Sequence, residues 1–346
     1  MSFKADKRFW LERAVLVIVG GAALWALRSF DLRAMAGTLD GAAWLAVALL
    51  FLLSTLLAIA PSWLFLRRAG HRTPFTAFSG IMLASQAMNA TNPLRVGFPF
   101  RVYLFKERYG VSLGTGSLLI PLEGFMAFVV ALGAALLFAP LQDQLLDGSW
   151  GAVLVLAALL GLAAAVVAGR LAGQGRLPVS PRLPERIRDA LKSVGEALSH
   201  VTPASLFAFA IFYLASDVAV AGILKVATSG SGFDISLSYL VSAYCGAYLL
   251  GSISLMPQGL GTRDASLGLF LHAAGASPEQ AAYAALVVRA ATTGFSFVLG
   301  IIAAWAMGLS RRPPVPGDRA LPLDALEPGT GTLARAPRHR GSEAGQ

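Results

Sequence analysis

The sequence predicts an all-α polytopic membrane protein, with six full transmembrane helices and two re-entrant broken-helix hairpins in an inverted repeat. Three observations carry this. Only 14% of the 346 residues are charged, against roughly a quarter in soluble domains, and the mean hydropathy is +0.65. Long apolar runs recur, several at or above the roughly 20 residues that cross a bilayer. Two breaks rich in Gly and Pro, of like pattern, fall at corresponding places in the two halves of the chain. Such a composition argues against a soluble enzyme.

The six spans are Ala14–Leu27, Ala42–Leu66, Leu113–Pro140, Trp150–Ala168, Pro203–Leu224 and Pro278–Leu309. Arg28 follows the first run without a small-residue cleavage site, so that run reads as an uncleaved helix and not a signal peptide. The 28 Lys and Arg against 19 Asp and Glu leave a formal charge of +9. Basic residues gather at the N-terminus, in Arg67–Arg72, Arg95–Arg108, Arg170–Lys192 and after Arg311, whereas Gln142–Asp147 is acidic. Cytoplasmic loops carry the basic excess, which places both termini inside and makes residues 170–200 a basic cytoplasmic connector.

The same charge rule forces the hairpins. Arg67–Arg72 and Lys106–Arg108 both belong inside, yet Phe75–Ala90 between them is apolar and interrupted by Ser79, Ser85, Gln86 and Asn89. It must enter and leave by one face, with its break at Asn89–Gly97. Ile235–Gly275 returns likewise from the outside, with its break at Met256–Asp264. Irregular backbone at membrane depth is tolerated only inside protein or beside water.

Pro93 and Gly97 are spaced as are Pro257 and Gly261, and Gly259 lies between the latter two. Gly110-Val-Ser112 follows the first break as Gly275-Ala-Ser277 follows the second, and each precedes a long helix with one internal charge, Glu123 or Arg289. The domains are therefore 1–140, a first membrane repeat; 141–309, a second repeat containing the connector 170–200; and 310–346, a Pro-rich tail unable to bury a core and expected to be a disordered cytoplasmic segment. Inverted repeats whose broken helices meet near the midplane are a recurring transporter plan.

Charges at the breaks are the candidate site. A guanidinium in hydrocarbon must face water, a carboxylate or a lipid phosphate, and its planar fork suits phosphate oxygens. Arg95, Arg101 and Arg263, with Asp264, Asn92 and Gln258, read as lining a cavity for an anionic head group, helped by half-helix N-termini. The competing reading is that the arginines snorkel to the interface and the amides cap freed backbone. Glu123 and Arg289 are intramembrane charges whose economical arrangement is a mutual ion pair across the halves. Asp217 is a third buried acid, able to face the cavity or to reach Lys225. Cys245 is the single cysteine, and His71, His200, His272 and His339 show no metal-ligand spacing, so no metal or other cofactor is expected. Phosphate loops, GxSxG, HExxH and aromatic-basic nucleic-acid platforms are not found in the sequence.

The stretches Asn92-Pro-Leu-Arg-Val-Gly-Phe-Pro-Phe-Arg101, Tyr109-Gly-Val-Ser112 and Met256-Pro-Gln-Gly-Leu-Gly-Thr-Arg-Asp264 resemble the integral membrane region of lysylphosphatidylglycerol synthases and related flippase-like membrane proteins, over most of residues 10–309. Pro93, Gly97 and Arg101 match that family's first motif, with Phe98 where the family commonly has Glu. Pro257, Gly259, Gly261 and Arg263 match the second, with Asp264 in place of Glu. The resemblance implies flipping of a lipid between leaflets of a bacterial inner (plasma) membrane. It does not extend to the family's aminoacyl-transferring soluble domain, so enzymatic activity is not expected of this chain. The leading expectation is a transporter of an anionic lipid or lipid-linked head group, with membrane lipids as partners. The alternatives are an accessory or catalytic protein of lipid modification (hopanoid, polyprenyl-glycan or aminoacyl-phospholipid), with Asp264 or Asp217 as base, and a scaffold recruiting a lipid-modifying enzyme through residues 170–200.

Overall fold

In the computed structural model, which describes residues 39–91, 95–138, 198–254, 259 and 261–308, each of the four long helices begins at a side chain that accepts one of its free N–H groups. Asp40 accepts from the Ala43 N–H at 2.7 Å and opens α1 (Gly41–Arg68). Ser112 does the same for α4 (Leu113–Leu137). Capping boxes made by Thr202 with Ser205 and by Ser277 with Gln280, each followed by Pro at the first helical position, open α5 (Pro203–Gly230) and α8 (Pro278–Ala306). These caps satisfy orphan donors that would otherwise need water.

α1, α4, α5 and α8 are each long and apolar enough to cross a membrane. Four shorter helices lie between them: α2 (Phe75–Thr91), α3 (Gly97–Tyr109), α6 (Leu237–Ile253) and α7 (Thr262–Ala273). The described residues form helices and connections with no strand. The expected spans Ala14–Leu27 and Trp150–Ala168, most of the connector 170–200 and the tail 310–346 lie outside the described residues, as do Asn92, Pro93, Pro257 and Gln258.

Helices α2 and α3 pack as a hairpin, and so do α6 and α7. Each hairpin closes where a glycine of the second segment rests on the first. A Cβ at Gly97 would lie 2.1 Å from the Ser85 carbonyl oxygen, and one at Gly259 would lie 3.1 Å from the Gly251 Cα. Small residues permit such approach in membrane helices. Both hairpins then run into a long helix through the same turn. Gly110 (φ +63°) and Gly275 (φ +100°) take the left-handed conformation that ends a helix, Val111 and Ala276 are buried, and Ser112 and Ser277 cap the next helix, α4 or α8.

Across the molecule α1 packs along α5, α4 against α6, and the C-terminal part of α8 against α2. Polar side chains tie these contacts, the Ser216 hydroxyl donating to the Ser54 carbonyl at 3.0 Å and the Ser242 hydroxyl to the Ala135 carbonyl at 2.9 Å. Phe78 stacks on Phe105 within the first hairpin, with centroids 5.0 Å apart. Arg108 of α3 donates both terminal nitrogens to the Met307 carbonyl at 3.2 Å, satisfying an orphan acceptor at the end of α8. Leu45, Leu49, Leu53 and Leu56 of α1, Phe207 and Ile211 of α5, and Ile301, Ile302 and Trp305 of α8 are exposed. So much outward apolar surface is stable only against lipid: the chain is an integral membrane protein.

Candidate functional site

The two breaks open onto one cavity of about 530 Å³. Its wall takes Arg95, Phe98 and Arg101 from the first break and α3, Gly259 and Arg263 from the second break and α7, Glu123 from α4 and Tyr213 from α5. The three arginines singled out from the sequence therefore face the same space, although 162 positions separate Arg101 from Arg263.

Arg95 stands immediately before α3 with φ +50°, a conformation costly for a residue with a Cβ, and it is exposed. Arg101 is 3% exposed. Its Nη1 donates to Glu123 Oε2 at 2.8 Å and contacts Met82 Sδ at 3.0 Å, while Nε and Nη2 have no hydrogen-bond partner. Glu123 also accepts from the Ser62 hydroxyl at 2.6 Å. The Phe98 ring, at the position where a glutamate was anticipated from the resemblance, lies 5.5 Å from the Arg101 guanidinium carbon. The second motif treats Arg263 alike. Its guanidinium packs on Tyr244 at 4.7 Å and Tyr248 at 5.6 Å, and Nη2 has no partner. Aromatic faces stabilise a cation without consuming its N–H groups, so both arginines keep donors for something else. Asn89 Oδ1 is likewise buried and unpaired on the same wall.

Three readings need correction. Glu123 and Arg289 do not pair with each other. Glu123 binds Arg101, and Arg289 grips Asp264, with Nε at 3.1 and 3.2 Å from the two carboxylate oxygens and Nη2 at 2.5 Å from Oδ2. The physical reason is proximity: each long helix follows its hairpin through one short turn, so the charge on the hairpin neutralises that on the helix with no need for a partner in the other half. Asp264, expected in the substrate site, is thereby committed to Arg289 and lies off the cavity wall. Lys225 is not available to Asp217 either; it binds Asp234 and donates to the Ile235 carbonyl at 2.6 Å. Asp217 is half-buried, in the field of Arg263 with the Cys245 thiol nearby. No cluster of three or more metal-binding side chains occurs among the described residues.

Sequence reasoning missed Ser62, Phe98 as a wall residue, Tyr213 and the Tyr244–Tyr248 pair. The last had a signal, because tyrosines four apart on a helix share one face. Ser62 was the polar residue beside Pro61 in an apolar run. Tyr213 had none, being one aromatic among several.

Long apolar helices around a cationic, partly unsatisfied cavity at two helix breaks define a polytopic membrane protein. Residues 14–300 match the family described as Lysylphosphatidylglycerol synthase TM region, and the chain belongs to that family. No curated protein sequence matches the chain with significance.

Proposed function

We propose that the chain translocates an anionic lipid, or a lipid-linked anionic head group, between the leaflets of the bacterial inner membrane without altering it covalently. The observation that carries this is the single cavity on which Arg95 and Arg101 of one break and Arg263 of the other converge. Intramembrane cations around a cavity mark substrate pathways. The head group sits among the arginines while its acyl chains stay in lipid, and the two halves rock about it so that the cavity faces each leaflet in turn. Membrane lipids are the partners in this reading, with a lipid-modifying enzyme as supplier of the substrate.

The architecture that goes with it is an inverted repeat of six full spans and two re-entrant hairpins, both termini cytoplasmic. Exchange symmetry supports it: replacing α1, α2 and α4 by α5, α6 and α8 turns the α4–α6 contact into the α8–α2 contact and leaves α1–α5 unchanged. Matching Gly-x-Ser turns support it too.

The test is reconstitution in liposomes carrying a fluorescent anionic lipid quenched from outside. Leaflet exchange is expected, and Arg263→Ala should slow it by about tenfold or more. A lipid chemically changed without leaflet exchange would instead favour the lipid-modification reading.

A further inference from the structure

Three guanidiniums, Arg95, Arg101 and Arg263, and one carboxylate, Glu123, are the charged groups on the described cavity wall, a surplus of two positive charges. The gaps at the breaks do not alter this count, since 92–94, 255–258 and 260 contain only Asn, Pro, Leu, Met and Gln. Asp217 acts on Arg263 from off the wall. Net charge is expensive at membrane depth, so the wall suits an anion even with Asp217 offsetting part of that surplus. Geometry adds to the count. Glu123 occupies one nitrogen of Arg101, Phe98 covers a face of its guanidinium, and Nε and Nη2 remain as an unused edge on a side chain 3% exposed. On the opposite hairpin, Tyr244 and Tyr248 hold the Arg263 guanidinium and leave Nη2 unused. An Nε–Nη2 edge is the bidentate fork that matches two oxygens of one phosphate.

We infer that the cavity is a clamp for a dianionic phosphate, a phosphomonoester or diphosphate end of a lipid, gripped by Arg101 from the first hairpin and Arg263 from the second. This deepens the head-group reading above and rests on it for the lipid part. A phosphodiester has two unesterified oxygens for the three unused donors, Nε and Nη2 of Arg101 and Nη2 of Arg263, where a phosphomonoester has three. Free phosphate compounds share the same chemistry, and the experiment separates the two sources.

The full chain is placed in phosphatidylcholine nanodiscs at pH 8, and binding is measured for phosphatidic acid, phosphatidylglycerol and glycerol 3-phosphate. Phosphatidic acid should bind about tenfold or more tightly than phosphatidylglycerol. Arg101→Lys keeps the charge opposite Glu123 but removes the fork; it should cut phosphatidic acid binding about tenfold and bring the two lipids level. Arg263→Lys, on the other hairpin, should do the same and serves where Arg101→Lys is not monodisperse. Equal binding of the two lipids by the wild type overturns the clamp and leaves the head-group reading standing, as does an unchanged preference in a folded variant. Glycerol 3-phosphate binding as tightly as phosphatidic acid supports the clamp and removes the lipid. Failure of all three probes to bind overturns it.

Discussion

The two hairpins solve one electrostatic problem with opposite signs. In the first, the short arm supplies the cation, Arg101, and the long helix the anion, Glu123; in the second, the short arm supplies the anion, Asp264, and the long helix the cation, Arg289. The first pair is buried, at 3% and 13% side-chain exposure, and faces the cavity. The second is at 17% for Arg289 and 35% for Asp264, off the wall, with its guanidinium wrapped around the carboxylate. Neutralising a membrane-embedded charge within the hairpin is the shared requirement, since an unpaired one costs several kcal/mol. Which sign meets the cavity is free to differ. The first hairpin pairs one nitrogen of Arg101 and leaves two unpaired, whereas the second takes its cavity-facing cation, Arg263, from the residue before the paired one.

The harshest challenge to this comparison exchanges charges between the halves. Glu123→Arg with Arg289→Glu sets two guanidiniums together in one hairpin and two carboxylates in the other, so the double variant should be worse than either single one, by more than about 5 kcal/mol in all. Loss of monodisperse protein on gel filtration reads this; rescue by the double exchange would restore the cross-half pair. Glu123→Ala alone strands Arg101 in a buried site and should cost about 3–5 kcal/mol, seen as a fall in thermal unfolding midpoint. Asp264→Asn should cost less, about 1.5 kcal/mol, because a third-exposed carboxylate is partly screened; a larger loss than for Glu123→Ala would invert the ranking by burial.

The smallest effect belongs to the pair that ties Lys225, near the end of α5, to the exposed Asp234 on the α5–α6 connection. The hydrogen bond and charge of Lys225 hold the Asp234 carboxyl below its ordinary value. A carboxylate with a depressed folded pKa stabilises above the unfolded value of about 3.9 and loses that contribution as pH falls through the folded one. Asp234→Asn should therefore lower the thermal midpoint slightly at pH 7, with the gap to wild type closing below pH about 3.9.

Much of the frame was legible before any coordinates. The apolar runs Ala42–Leu66, Leu113–Pro140, Pro203–Leu224 and Pro278–Leu309 fall on α1, α4, α5 and α8, and Arg95, Arg101 and Arg263 stood out because arginine beside Pro and Gly in apolar sequence has few cheap explanations. Pairing was not legible. Whether Glu123 meets Arg101 or Arg289 depends on how α4 packs after the Gly110 turn, which residue type and spacing do not fix. Nor was the depth of Arg101, close in sequence to the charged Lys106, Glu107 and Arg108; the exposed end of α3 is polar, but the residue two turns inward is sealed by Met82 and Phe98.

Helix α8 touches both hairpins. Arg289 fastens it to the second hairpin, Gly300 sits so close to the first that an added Cβ would lie 2.5 Å from Ala87 Cβ and the Leu83 oxygen, and its last carbonyl region is pinned by Arg108. Between the fastening points, Ala290–Phe295 is a π-helical turn, which holds one residue more than the regular ladder. That surplus acts like a splice in a drive shaft. Removing it would turn everything beyond by about 100° and carry Gly300 away from Ala87, so a single residue of slack sets the register in which α8 meets the first hairpin.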